Sequence, residues 1–155
     1  MAQAAEASQL VVDASVAIKW HLVDEEHVEA AASLLRQFIQ GEVELVAPAH
    51  IRYEVPSAII VATGGRDPRL TIEQGREAIE EFLTLGLRTI DTDELILSSF
   101  PLVHQYTIAF YDALYLALSR ELGIPFLTAD GRLYQRITSL PNVIWIGDYT
   151  SGVGS

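Results

Sequence analysis

The chain has 155 residues, half of them hydrophobic, with a formal net charge of -11 and no cysteine. That length suits one domain with a substantial core and is short for two. The lack of cysteine excludes disulfides and thiolate metal sites, no apolar run approaches a membrane span, and the acidic balance is the reverse of the basic surface nucleic-acid binders usually carry. Residues 1–8 are Ala-rich and polar, without the basic-then-apolar layout of a signal peptide, so they are expected to form a disordered tail on a cytoplasmic protein.

Residues 9–12, in which the apolar run Leu10-Val11-Val12 ends at Asp13, read as a buried strand. Residues 14–20 suggest a short helical turn. Asp24 is a good N-cap for a helix carrying Val28, Ala31, Leu35, Phe38 and Ile39 at helical spacing and ending at Gly41. Residues 43–46 are the second strand, stopped by Pro48. Residues 49–63 read as a buried helix, with Pro56 kinking it or marking its true start. Gly64-Gly65-Arg66-Asp67-Pro68 is a loop, and Thr71 with Gln74 makes a capping box for a helix that ends at Gly86. Residues 87–90 are the third strand. Asp91 or Thr92 caps a helix to about His104, bent by Pro101. Residues 111–122 form another helix, ended by Gly123. Residues 124–128 are the fourth strand, Asp130 caps a helix to about Thr138, and residues 142–146 are the fifth strand. Strands alternating with helices predict an α/β fold, a three-layer α/β/α arrangement around a central, mostly parallel five-stranded sheet. One domain is expected over residues 9–148, followed by a flexible Gly/Ser-rich tail at 149–155.

Four acids carry the chemistry. Asp13 ends the first strand and Asp130 follows the fourth, so both lie at one rim of the sheet if those strands are neighbours. Glu54 lies near the start of the helix after the second strand. Asp112 lies near the start of the helix before the fourth; topology alone places it less firmly. Taken singly, Asp13 and Asp130 are ordinary helix caps, and Asp112 offsets a helix dipole. Glu54, between Tyr53 and Val55 in an apolar segment, is harder to explain in that way. Together the four would repel one another unless a cation lay between them. Oxygen-only ligands suit Mg²⁺ or Mn²⁺, and paired ions about 3.5–4 Å apart activate water and stabilise the leaving oxygen of a phosphodiester. Lys19, Arg52, Arg132 and Arg136 are the candidate phosphate contacts, the last two sharing a helix face. Tyr111 and Trp20 offer rings for base stacking or for core packing.

Residues 11–20, Val-Val-Asp-Ala-Ser-Val-Ala-Ile-Lys-Trp, resemble the opening motif of PIN-domain ribonucleases, and most nearly the VapC-type toxins of type II toxin–antitoxin pairs. Tyr53-Glu54-Val55-Pro56-Ser57-Ala58 resembles the second motif of that family. Residues 110–118, Phe-Tyr-Asp-Ala-Leu-Tyr-Leu-Ala-Leu, are similar to the third, and Leu127-Thr128-Ala129-Asp130-Gly131-Arg132-Leu133 to the fourth. Ala109 departs from the pattern, standing where such sequences often carry a Ser or Thr cap. The resemblance implies a PIN-like fold and Mg²⁺- or Mn²⁺-dependent endoribonuclease activity, with Asp13, Glu54, Asp112 and Asp130 as catalytic metal ligands. It implies that the hydroxyls of Ser15 and Thr128 support those acids. It also implies an RNA substrate, a small cognate antitoxin and a homodimer.

Other classes fit less well. A PIN-domain nuclease of RNA maturation, outside any toxin pair, would share all four acids. A non-catalytic PIN-like binding module would have no reason to keep them together. Phosphoaspartyl enzymes need a lysine late in the chain, and none follows Lys19.

Overall fold

Five short strands pair side by side into one wholly parallel sheet, in the order β3-β2-β1-β4-β5. The strands are β1 (Ser8–Val12), β2 (Val43–Pro48), β3 (Arg88–Ile90), β4 (Phe126–Thr128) and β5 (Val143–Trp145). The computed structural model describes residues 7–150, and most of both expected tails falls outside the described residues. Ser8 already pairs with Val43 and Tyr149 is buried, so the folded unit reaches slightly beyond 9–148 at each end. Among the described residues the helices are α1 (Ala14–Ile18), α2 (Val28–Ile39), α3 (Ile51–Ala62), α4 (Ile72–Thr84), α5 (Ile96–Tyr106), α6 (Phe110–Leu122) and α7 (Gly131–Ile137). None is long and apolar enough to cross a membrane.

Side chains alternate across a strand, so each strand feeds two cores. Val11, Val46 and Phe126 face one side and pack with Ile59 of α3, Phe82 of α4, Leu102 of α5 and Tyr115 of α6. Leu10, Val12, Leu45 and Leu127 face the other side, against Leu34 of α2, Ile146 and Tyr149. The expected α/β/α layering is present, with unequal outer layers. The α3–α4 crossing is tight at Gly75, where an added Cβ would meet Thr63 Cγ2 at 2.4 Å.

The chain builds outward from β1 to β2 and β3, then crosses back to β4 and β5 on the far side of β1. The order therefore reverses between β1 and β4. Parallel sheets bind ligands at such a reversal, outside the carboxyl ends of the strands. Val12 is in register with Leu127, which places Asp13 beside Thr128 at that rim.

Some elements differ from the sequence expectation. Asp24 does not cap α2; Arg69 takes both of its carboxylate oxygens, and the helix begins at Val28 after a left-handed His27. The expected strand over 124–128 shortens to Phe126–Thr128, because the Ile124 N–H turns back to the Ser119 carbonyl at the end of α6 and Pro125 has no N–H. Pro56 and Pro101 lie inside α3 and α5, which run on through them. The Thr71–Gln74 capping box forms as expected.

Candidate metal centre

The most heavily hydrogen-bonded acid of the rim is Asp13. Its side chain is 4 % exposed and caps α1, accepting from the Val16 N–H at 3.3 Å. Two hydroxyls also point at it. Ser15 Oγ donates to Oδ1 through a short contact, and Thr128 Oγ1 donates to Oδ2 at 2.5 Å. Each hydroxyl is itself held by a backbone N–H, Ala129 to Ser15 at 2.9 Å and Asp130 to Thr128 at 3.1 Å. A hydroxyl has one proton, and here each oxygen already accepts from the backbone. Its proton is left for Asp13. The network thus has a direction, and it is wired for an ionised carboxylate. Ser15 and Thr128 thus both donate to the Asp13 carboxylate.

Burial opposes that ionisation. It pushes the Asp13 carboxyl from 3.8 up to about 7, against the pull of the Ser15, Thr128 and Val16 hydrogen bonds, and the Asp112 charge adds to the rise. Asp112 is pushed up to about 6, first by burial, then by the charges of Asp130 and Glu54, while His50 acts the other way. Asp112 is therefore the hub, coupled to each of the other three acids. Its position follows from the packing of α6 across β1 and β2, which brings the first turn of that helix to the rim. No side chain caps α6, in keeping with Ala109 at its start.

Asp130 also serves as a helix cap. One carboxylate oxygen accepts from the N–H groups of Arg132 and Leu133 at 3.0 and 3.1 Å. Glu54 is fixed by two residues that sequence reasoning did not single out. Tyr115 donates its hydroxyl to Oε1 at 2.8 Å, and His50 Nε2 lies 3.0 Å from the same oxygen, off the line of a hydrogen bond. Tyr115 is 1 % exposed, and burial followed by the Glu54 charge raises its phenol well above the usual range. The signals were spacing alone: Tyr115 is three residues after Asp112, and His50 four before Glu54, each on a shared helical face.

Among the described residues, no three acidic or histidine side chains close on one point tightly enough to enclose an ion. Their like charges oppose closer approach. The donor set nonetheless fits a hard divalent cation. It is oxygen-rich and mutually repulsive, and its most buried member is hydrogen-bonded as an anion while burial resists that charge.

The candidate phosphate contacts divide. Lys19 is 8 % exposed, with Nζ 3.9 Å from Glu25. Arg52, Arg132 and Arg136 are exposed, and among the described residues they form no ion pair. Trp20 packs against the core and donates to the Ala31 carbonyl at 2.9 Å, whereas Tyr111 is exposed at the rim.

A family model for the PIN domain matches residues 10–138. Ribonuclease VapC12 of Mycobacterium tuberculosis is 32 % identical over 126 residues, spanning 81 % of this chain and 90 % of that protein. Among solved structures, PAE2754 from Pyrobaculum aerophilum superposes with a TM-score of 0.63 at 18 % identity, covering 91 % and 92 % of the two chains. M. tuberculosis VapC20, a sarcin-ricin loop cleaving toxin, gives 0.59 at 17 % identity over 81 % and 93 %. FitAB bound to a DNA fragment gives 0.57 at 15 % identity over 92 % and 99 %. These structures share the fold described above. With a family model spanning most of its length and a curated relative matched almost end to end, the chain belongs to the PIN domain family.

Proposed function

We propose that the protein is a divalent-metal-dependent endoribonuclease and the toxin of a toxin–antitoxin pair, acting in the cytoplasm. The observation that carries this is the placement of Asp13 and Asp130 at neighbouring strand ends on the switch point of the sheet, with the Asp13 carboxylate held by Ser15 and Thr128. The ribonuclease VapC12 and the toxin VapC20 among its relatives support RNA as the substrate. Asp13, Glu54, Asp112 and Asp130 would hold Mg²⁺ or Mn²⁺. Such an ion, when bound, supplies a Lewis acid for a phosphodiester and acidifies water at neutral pH.

The protein's own groups do the rest. Ser15 and Thr128 favour the ionised form of Asp13 against the burial that opposes it. Tyr115 orients Glu54. Exposed Arg52, Arg132 and Arg136 attract the RNA backbone, which the overall acidity otherwise repels. A second copy of the chain docks through α3 and α4, which expose Ile60, Val61 and Ile72. A small antitoxin masks the acids with a basic side chain.

Two measurements test this. Calorimetric titration with Mn²⁺ should show binding to the wild type and at least tenfold weaker binding to Asp13→Asn; equal binding removes the shared site. A panel of RNAs should be cut in Mg²⁺ or Mn²⁺, but not in EDTA and not by Asp112→Asn; cutting that survives both changes removes the nuclease assignment.

A further inference from the structure

A second concavity opens beside the acids. It has a volume of about 300 Å³ and lies between the start of α3, the turn leading into α5 and the start of α6. That is at the small end of ligand pockets, which run from about 300 to 1,000 Å³. Its wall is aromatic. Tyr53 is 79 % exposed, and Phe110 and Tyr111 are also open to solvent. The Phe110 and Tyr111 ring centres are 5.6 Å apart, and the His50 ring lies 5.0 Å from Tyr111. Exposed rings in a continuous array have no role in the core. The cavity is joined to the acids by two residues: His50 approaches Glu54 within 3.0 Å, and Tyr111 immediately precedes Asp112.

Two carboxylates, Asp91 and Asp93, also line the cavity, beside Thr92, Ile96 and Leu114. Asp91 uses one oxygen to accept the Asp93 N–H at 2.9 Å. Among the described residues, the Asp93 carboxylate has no hydrogen bond or ion pair. A carboxylate at this wall repels phosphate and accepts N–H donors. Rings that stack and an acid that accepts are together the requirements of an unstacked nucleobase. Among the four bases, guanine presents two adjacent donors on one edge, N1–H and the 2-amino group, which one carboxylate takes together. Adenine, cytosine and uracil each offer a single donor group on that edge.

We propose that this cavity is a nucleobase subsite that takes a guanine of the RNA next to the bond being cut, stacked on Tyr53 and Tyr111 and read by Asp93. It rests on the nuclease assignment above for its biological meaning, but its binding chemistry is separable from cutting. The test is titration of the full chain in EDTA with guanosine, adenosine, cytidine and uridine, followed by NMR shifts, with sedimentation of the same samples. Guanosine should bind at least tenfold more tightly than the other three, and inosine, which lacks the 2-amino group, should fall between. Tyr53→Ala should weaken guanosine at least fivefold, and Asp93→Ala should remove the preference, with circular dichroism unchanged in both.

Four nucleosides that bind alike, or none that binds, would overturn the subsite. So would a Tyr53→Ala variant that loses self-association while nucleoside binding is unaffected, which would assign the aromatic wall to a second copy of the chain. Guanosine binding by a protein that cuts no RNA would leave the subsite standing and remove the nuclease assignment instead.

Discussion

Replacing Asp13 by Asn should stabilise the metal-free protein, and increasingly so as the pH rises. In the folded state the Asp13 carboxyl titrates at about 7, against 3.8 for an ordinary aspartate. Folding therefore favours its protonated form. The stability this supplies is complete below pH 3.8 and is lost as the pH rises through about 7. At about 1.4 kcal/mol per pH unit, the loss reaches about 4 kcal/mol by pH 8. Asn carries no charge to desolvate. Its amide N–H₂ must face Ser15 or Thr128, whose oxygen already accepts from the backbone, so that hydroxyl has to turn away. One compromised hydrogen bond costs about 1 kcal/mol, leaving a net gain of about 3 kcal/mol at pH 8. Urea denaturation in EDTA, followed by circular dichroism at pH 5, 6.5 and 8, measures the difference. Between pH 5 and 8 the advantage of the variant should grow by about 2–3 kcal/mol. Saturating Mn²⁺ should narrow the gap, since an ion present at 100 times its Kd adds about 2.7 kcal/mol to the form that binds it and only about 1.4 kcal/mol to a variant that binds tenfold more weakly. An advantage that is flat across this range, or that shrinks with pH, would refute the description of Asp13 as a buried anion awaiting a counter-charge.

Other substitutions test other parts of the frame. Tyr115→Phe removes the donor to Glu54; activity should fall at least tenfold in kcat while urea stability changes by about 1 kcal/mol, and an unchanged kcat would show that Glu54 needs no orienting. Thr128→Val removes a hydrogen bond that favours the charged form of Asp13, so the rising limb of the pH–rate profile should move to higher pH; a shift to lower pH would contradict the direction of the network. Gly75→Val forces a side chain into Thr63 at the α3–α4 crossing and should cost about 1–3 kcal/mol in thermal denaturation. Induced expression in a bacterial host should arrest growth with the wild type and not with Asp112→Asn, and arrest by both would separate toxicity from the acids.

The strand ends were the readable part of this molecule. An apolar run stopped by a carboxylate is local information, and it placed Asp13 and Asp130 correctly at one rim once β1 and β4 proved to be neighbours. The capping box at Thr71 is equally local. Asp112 was harder, because α6 follows α5 rather than a strand, and only its packing across β1 and β2 brings its first turn to the rim. Asp24 looked like a cap because nothing in its neighbourhood announces Arg69, which reaches it from 45 residues away. His50 and Tyr115 were overlooked for a related reason. Their side chains read as ordinary core aromatics until α3 and α6 are laid together, when both turn toward a single oxygen of Glu54.

The pairing of β1 with β4 has a consequence for synthesis of the protein. Asp13 and the threonine that holds it are 115 positions apart. Contacts at such separation form late, because the intervening chain must first be made and closed. A chain translated as far as Pro125 contains Asp13, Glu54 and Asp112, but neither Thr128 nor Asp130, nor the strand that sets Asp13 in register. The unfinished polypeptide holds acids without a frame. For an enzyme made in the midst of RNA, the order of the chain delays the site until β4 has been made.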